Sequence, residues 1–239
     1  MKKNNFKVLG IIPARGGSKS IPHKNLIELD GRPLLQYTAE SALAAKLLSK
    51  VILSTDDQVI ADLGKKLELE VPFLRPKQLA GDNTPTLPVI RHTLDFLEKR
   101  GESYAAVCLL QPTSPLRQPK QIDDCIKLLI ANRSVDSVVS ILPVPLEYNP
   151  HWIYFRRKNG SIYLSNGKSE PLTRRQLLPP AFIRDGSIYL TRRDVIMKKN
   201  SLYGKKVLGY RLKPEQSVNI DTFQDLYQAE KMIKCAVLL

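Results

Sequence analysis

Residues 6–26, "FKVLGIIPARGGSKSIPHKNL", join an apolar run to a basic loop that contains two adjacent glycines. The run at 6–12 is bounded by Pro13 and is typical of a short buried strand. The segment that follows at 31–48, "GRPLLQYTAESALAAKLL", has leucine and alanine at helical spacing. A strand followed by a helix is the opening unit of an α/β sheet, so this stretch predicts the fold class.

The same alternation continues along the chain. We predict helices near 57–68, 86–99, 119–131 and 222–234, and strands near 50–57, 71–74, 105–110, 135–142 and 206–212. The predicted strands are apolar and rich in β-branched residues, as expected of strands buried on both faces. They predict a mostly parallel sheet that is covered by helices on both sides.

The alternation of predicted strands and helices ends at Pro143. The segment 143–192 is rich in aromatic residues, Pro and Gly, and it contains "GSIYL" twice, at 160–164 and 186–190. This pattern predicts a β-hairpin excursion at about 143–185, after which the second "GSIYL" copy rejoins the sheet. With 239 residues, we expect one domain over 1–239 that carries this excursion as an insertion.

The composition favours an anionic small substrate, and the alternative is a merely solvated basic surface. The net charge is +14, and the stretch 156–213 holds 15 Lys or Arg but three acidic residues. No helix-turn-helix, zinc-finger or RNP pattern is present, so we expect no nucleic-acid partner. No apolar run approaches the roughly 20 residues of a membrane helix, and the start lacks a signal-peptide pattern, so we expect a cytoplasmic protein without a membrane partner. The three cysteines, Cys108, Cys125 and Cys235, have no metal-site spacing and are expected to be buried.

The loop at 13–25 follows the first strand, where ligands collect in open parallel sheets. Gly16 and Gly17 permit a close backbone approach, while Arg15, Lys19 and Lys24 supply positive charge. These features favour a phosphate-rich ligand. Neither a Walker A loop nor a Rossmann fingerprint is present. The alternative is a basic connecting loop with turn glycines.

Four segments in order carry a resemblance to the acylneuraminate cytidylyltransferases, the CMP-sialic acid synthetase family. They are "IIPARGGSKSIPHKNL" (11–26), "FLRPKQLAGDNTP" (73–85), "LLQPTSPLR" (109–117) and "VNIDTFQDLYQAE" (218–230). The resemblance implies a Rossmann-like nucleotidyltransferase fold, a three-layer sandwich with a mostly parallel sheet and a β-rich excursion for dimerisation. It further implies a homodimer that uses CTP and Mg²⁺ to convert an acidic nine-carbon sugar into its CMP derivative.

By the same resemblance, one set of residues binds the nucleotide: Arg15, Ser18, Lys19, Lys24, Asn25, Arg75 and Thr86. Attack of a sugar hydroxyl on the α-phosphate builds negative charge on its oxygens and on the departing pyrophosphate, so fixed cations are worth more than a general base. We therefore expect Lys19, Arg15 and Asp221 to be catalytic. Lys19 is the first candidate for stabilising the α-phosphate.

The resemblance also assigns sugar and metal residues. Gln111 is expected to orient the sugar and Arg175 to bind its carboxylate, although a turn residue and a surface arginine are the alternatives. Asp221 and Asn219 are the expected Mg²⁺ ligands. The family pattern there is Asp-x-Asp, so Asn219 is a departure that should weaken Mg²⁺ binding. The alternative for Asp221 is the N-cap of the last helix.

Two departures bear on the sugar. Trp152 occupies the position where sialic-acid-specific members often have a lysine, and Ile183 the position where they often have an arginine; Arg184 is only a neighbour of that second position. We therefore expect a legionaminic-type acid in preference to N-acetylneuraminate. The alternatives are a nucleotidyltransferase for another acid sugar such as KDO, or a non-catalytic relative that binds polyanions.

Overall fold

The computed structural model describes residues 6–237. Its helices are α1 (Leu34–Leu43), α2 (Gln58–Lys66), α3 (Thr86–Glu98), α4 (Pro119–Ala131), α5 (Arg193–Met197) and α6 (Phe223–Val237). Its strands are β1 (Val8–Pro13), β2 (Glu28–Leu29), β3 (Arg32–Pro33), β4 (Lys50–Ser54), β5 (Ala106–Leu109), β6 (Ser137–Pro143), β7 (Tyr154–Arg156), β8 (Ile162–Leu164), β9 (Phe182–Arg192) and β10 (Val207–Arg211). None of these helices is long and apolar enough to cross a membrane.

Six strands form the central sheet in the order β10-β6-β9-β5-β1-β4. β9 runs antiparallel to both of its neighbours, and every other pairing in this sheet is parallel. The carboxyl ends of the parallel strands therefore meet at one edge of the sheet, which is where ligands bind in folds of this class.

The core lies on both faces of this sheet because successive side chains of its strands point to opposite sides. In β1, Val8 and Ile12 join a cluster with α1, α2 and α4, whereas Leu9 and Ile11 join a second cluster with α3 and α5. Helix, sheet and helix thus form three layers. The predicted α/β class with a mostly parallel sheet is confirmed.

The predicted strand at 71–74 is wrong. This segment touches the sheet at two isolated bridges, Ile52 with Glu70 and Thr55 with Leu74. Pro72 lacks a backbone N–H and restricts the residue before it, which prevents a continuous ladder.

The cysteine prediction holds for two of three residues. Cys108 and Cys125 are buried, but Cys235 is exposed near the end of α6.

The excursion forms the predicted hairpin. After β6 ends at Pro143, β7 pairs antiparallel with β8, which contains the end of the first "GSIYL" copy. The second copy lies in β9, which enters the sheet between β6 and β5. Nine of the 15 exposed large apolar side chains of the described residues lie between 146 and 183, so the excursion presents an unusually apolar surface.

Candidate active site

A cleft of about 330 Å³ lies at the carboxyl ends of β1 and β5. Residues from four distant parts of the chain line it, because the loops after these two strands, the segment 75–89 and the segment before α6 meet there. It brings together nine of the eleven predicted site residues: Arg15, Ser18, Lys24, Asn25, Arg75, Thr86, Gln111, Asn219 and Asp221. Lys19 and Arg175 lie outside this lining.

Hydrogen bonds between backbone groups of the loop after β1 and nearby side chains hold this loop in place. The Gly16 N–H donates to Asp56 Oδ1 at 3.2 Å, and Asn25 Nδ2 donates to the Arg15 carbonyl at 2.9 Å. A Cβ atom on Gly16 would lie 2.6 Å from Asp57 Oδ2, so only glycine allows this approach. Asp57 itself caps α2 by accepting from the backbone N–H groups of Val59 and Ile60. Both acidic residues therefore position the loop and the helix.

Lys24 connects the loop to the segment that precedes α6. Its side chain is 10% exposed, and its Nζ donates to the Ile220 carbonyl and to Asp221 Oδ1, both at 2.9 Å. An ammonium group that is mostly desolvated and fixed by two oxygens provides a positive charge at a defined place in the cleft. Among the basic residues of the loop, Lys24 is thus the one with the most rigid position.

Arg75 is the second buried cation of the cleft. Its Nε donates to Ser54 Oγ at 3.1 Å, and its Nη2 donates to the Ser54 carbonyl at the end of β4. Burial lowers the pKa of its guanidinium, and the carboxylate of Asp56 opposes that shift. Arg75 therefore connects the 73–85 segment to β4 and places a positive charge in the lining of the cleft.

Lys19 and Arg15 share a carboxylate that the sequence reasoning overlooked. Asp82 Oδ1 lies 3.1 Å from Arg15 Nη1, and Asp82 Oδ2 lies 2.8 Å from Lys19 Nζ. The Lys19 hydrogen bond is the main cause that lowers the pKa of Asp82. The Lys19 side chain is 79% exposed and lies beside a neighbouring depression near Asn83 and Pro88. In this arrangement Lys19 therefore faces Asp82 and not the interior of the cleft.

Gln111 follows β5 and is positioned by an arginine that the sequence analysis did not single out. Arg117 is buried; its Nη1 and Nη2 donate to the Gln111 carbonyl at 3.2 and 3.1 Å. The same guanidinium reaches Ser187 of β9 and Thr38 of α1, each at 2.6 Å. Burial lowers the pKa of Arg117 to about 10. The only sequence signal was its place at the end of "LLQPTSPLR".

Arg175 lies in the excursion, in a short 3-10 helix at Arg175–Leu177, and it is exposed. No hydrogen bond or ion pair joins its guanidinium to the cleft within residues 6–237. Its predicted role at a sugar carboxylate therefore has no support from this chain's own cleft.

Asn219 and Asp221 lie side by side at the cleft, as their spacing in an extended segment predicts. Asn219 Nδ2 donates to Asp221 Oδ2, while Asp221 Oδ1 faces Lys24. At the start of α6 the Thr222 hydroxyl accepts the Asp225 N–H, and the Asp225 carboxylate accepts the Thr222 N–H. Thr222 therefore caps this helix, and the alternative N-cap role of Asp221 is wrong. Across residues 6–237, no group of three His, Cys, Asp or Glu side chains is arranged to hold a metal ion.

Relatives of similar sequence match nearly the whole chain. The pseudaminic acid cytidylyltransferase of Campylobacter jejuni is 30% identical over 96% of this chain and 97% of that protein. The CMP-N,N'-diacetyllegionaminic acid synthase of Legionella pneumophila is 31% identical, again over 96% of this chain and 97% of that protein. A solved CMP-2-keto-3-deoxy-manno-octonic acid synthetase with CTP has a TM-score of 0.73 at 17% identity, over 96% of this chain and 99% of that one, which supports the fold.

The family comparison covers nearly the whole chain. The model described as cytidylyltransferase matches residues 9–234, a range that includes every residue of the cleft. The fold, the cleft and the relatives agree, and this chain belongs to the cytidylyltransferase family.

Proposed function

We propose that this protein transfers the CMP group of CTP to an acidic nine-carbon sugar of the nonulosonic class and releases pyrophosphate. The observation that carries the proposal is the cleft, where three positioned cations, Arg15, Lys24 and Arg75, meet the oxygen ligands of Asp221 and Asn219. Relatives that match nearly all of this chain are named for pseudaminic and legionaminic acids, which supports sugars of this kind as acceptors.

In the proposed reaction, the anomeric hydroxyl oxygen of the sugar forms a bond to the α-phosphorus of CTP and its proton passes to solvent water. The bond from that phosphorus to the bridging oxygen breaks, and pyrophosphate leaves with the electron pair. Negative charge grows on the phosphoryl oxygens and the leaving group. Lys24 is held by Ile220 and Asp221 and offers a fixed counter-charge, while Arg15 leaves Asp82 to meet the triphosphate. Ser18, Asn25 and Thr86 complete the proposed nucleotide contacts.

Lys19 remains a proposed contributor of a different kind. Its ammonium group lies on Asp82 in the free cleft, and its long exposed side chain can turn toward a bound triphosphate. We therefore assign the fixed cation of the reaction to Lys24 and a nucleotide-dependent contact to Lys19.

The residues of the cleft fit a Mg²⁺ ion that arrives with the nucleotide. Asp221 provides a carboxylate and Asn219 an amide oxygen at the cleft, and Mg²⁺ is usually held by one or two carboxylates together with phosphate oxygens and water. When bound, the ion would neutralise charge on the phosphate oxygens. The exposed Asn219 side chain can rotate its oxygen toward the ion, because among residues 6–237 its amide makes a side-chain hydrogen bond with Asp221 alone.

We also propose that the protein works as a homodimer through the excursion. Phe155 of β7 packs on Tyr163 of β8, and both side chains are more than 40% exposed, as is Ile162. Such an apolar surface is stabilised by a second copy of the same chain. In a dimer of this kind, Arg175 would act at the partner's cleft.

Light scattering during size-exclusion chromatography tests the dimer. We expect a mass near twice 27.0 kDa at micromolar concentration. Phe155→Lys, on the exposed hairpin, should shift the protein toward the monomer mass with unchanged circular dichroism. A monomer mass for the unaltered protein would contradict the proposed dimer.

Pyrophosphate release with CTP and Mg²⁺ tests the proposed activity. The acceptor panel is pseudaminic, legionaminic, N-acetylneuraminic and KDO acids, each with and without enzyme. We expect release that depends on both CTP and a nine-carbon acid, and a CMP-sugar in equal amount by mass spectrometry. Pyrophosphate release with KDO and with no other acid would indicate that the substrate is an eight-carbon acid. A folded sample that binds CTP but releases nothing with any sugar would contradict the enzymatic proposal.

A further inference from the structure

A second chamber opens beside the nucleotide cleft. It has a volume of about 370 Å³ and lies between the start of α3, the end of β5, β9 and the 200–203 loop. Thr86 and Gln111 line both chambers, so the two spaces share a wall at the point where β5 ends. A molecule in the second chamber would thus lie next to a nucleotide in the first.

The two chambers differ in charge. The nucleotide cleft is lined by three cationic and two acidic side chains, whereas Arg184 is the one charged side chain that lines the second chamber among the described residues. The remaining polar groups there are hydroxyl and amide groups, which suit a polyhydroxylated molecule. The chamber therefore combines neutral hydrogen-bonding groups with a single positive charge.

An irregularity in β9 brings Arg184 into this chamber. Arg184 and Tyr189 are five residues apart and would point to opposite faces of a regular strand. In the pairing with β6, Val139 lies opposite Tyr189 and Ile141 lies opposite Arg184. An interval of two residues in β6 is therefore spanned by an interval of five residues in β9. The extra residues form a bulge in which Gly186 has φ +92°. Both side chains consequently line the same chamber.

Aromatic residues hold the Arg184 guanidinium in place. Its Nη1 donates to the Tyr203 hydroxyl oxygen at 2.8 Å, and the Tyr203 ring packs edge-on against Tyr189 with centroids 6.1 Å apart. A guanidinium carries five N–H groups, so this contact fixes its orientation while others face the chamber. The planar fork of N–H groups matches the two oxygens of a carboxylate.

We propose that Arg184, oriented by Tyr203, binds the carboxylate of the acceptor sugar and makes the enzyme selective for acid sugars over neutral ones. The inference rests on the proposed transfer to an acid sugar and assigns a residue other than Arg175 to this contact. Gln111, at the wall shared by the chambers, would then hold the sugar near the α-phosphate. The β9 bulge would serve to aim Arg184.

Steady-state pyrophosphate release with Arg184→Gln tests this assignment, with Arg133→Gln as the matched control because it removes the same charge from another exposed arginine. We expect Arg184→Gln to raise KM for the acid sugar by about 10- to 100-fold and to leave KM for CTP within twofold. Tyr203→Phe should raise the sugar KM by a smaller factor. Arg133→Gln should leave both KM values unchanged. Arg175→Gln is assayed beside it as the rival assignment for the sugar carboxylate.

A carboxamide analogue of the same sugar separates carboxylate binding from a structural effect. Wild-type protein should use the analogue poorly, and Arg184→Gln should make it no worse. Equal losses with acid and amide, or an unchanged sugar KM in Arg184→Gln, would overturn the assignment. A loss in Arg175→Gln alone would transfer the contact to Arg175.

Calorimetry in the presence of CTP keeps this test separate from that of the activity. If wild type binds an acid sugar and Arg184→Gln binds it equally well, the assignment fails whether or not turnover occurs. If wild type neither binds nor converts any acid sugar while it binds CTP, the proposed function fails together with this inference.

Discussion

Replacing Asp221 with asparagine is expected to lower kcat/KM for pyrophosphate release by about 100-fold or more, because it removes the one carboxylate at the proposed metal position. The other carboxylate that lines the cleft, Asp82, is already neutralised by Arg15 and Lys19. Asp221 is about 60% exposed, so the fold should tolerate the change. The loss should be accompanied by a higher Mg²⁺ concentration for half-maximal rate.

The matched control for Asp221→Asn is Glu215→Gln, which removes the same charge from an exposed carboxylate on the 3-10 helix at Pro214–Gln216. Glu215→Gln should leave both the rate and the Mg²⁺ titration unchanged. A kcat/KM for Asp221→Asn within threefold of wild type would show that this carboxylate does not act in the reaction.

Asn219→Asp is the complementary change at the same place. Two carboxylates would then lie side by side where an amide now donates to Asp221. Without metal the like charges repel, and with Mg²⁺ and CTP they supply two anionic ligands. We expect a lower melting temperature in the metal-free variant, a larger rise on adding Mg²⁺ and CTP, and a several-fold lower Mg²⁺ requirement. An unchanged Mg²⁺ titration would place Asn219 away from the ion.

The regular elements of this chain follow from local sequence. The apolar run before Pro13 and the helical pattern at 119–131 depend on near neighbours, and the structure has β1 ending at Pro13 and α4 at Pro119–Ala131. The second "GSIYL" copy was recognisable as a strand that rejoins the sheet. Its central place between β5 and β6, and the bulge that turns Arg184, depend on pairing with strands far away in sequence.

The site was harder to predict where charged side chains bind partners that are distant in sequence. The loop residues Arg15 and Lys24 could be placed because the loop follows a strand end. The partner of Lys19 could not, since Asp82 is distant in sequence and belongs to another loop. Arg117 was missed for the same reason, because its partners Thr38 and Ser187 lie 79 and 70 residues away.

Arg117→Met should destabilise the protein by about 2–4 kcal/mol. The change removes a buried guanidinium that joins α1, β9 and the Gln111 carbonyl. Methionine fills a similar volume but leaves the Ser187 carbonyl and the Thr38 hydroxyl without this buried donor, and each such group costs about 1–3 kcal/mol. The Gln111 carbonyl still accepts from the Ser114 N–H and the Thr38 hydroxyl. Relief of the desolvation of Arg117 offsets part of this cost.

Urea denaturation followed by circular dichroism measures the effect of Arg117→Met on the free energy of unfolding. Arg117→Lys restores a charge but cannot reach Thr38, Ser187 and Gln111 together, so its loss should be nearly as large. Arg133→Met, which alters an exposed arginine outside the excursion, should change stability by less than about 0.5 kcal/mol. Because Arg117 positions the backbone at Gln111, the folded fraction of Arg117→Lys should also show a raised sugar KM. If Arg117→Met unfolds with the same midpoint and slope as wild type, the connection between these three elements contributes nothing to the fold.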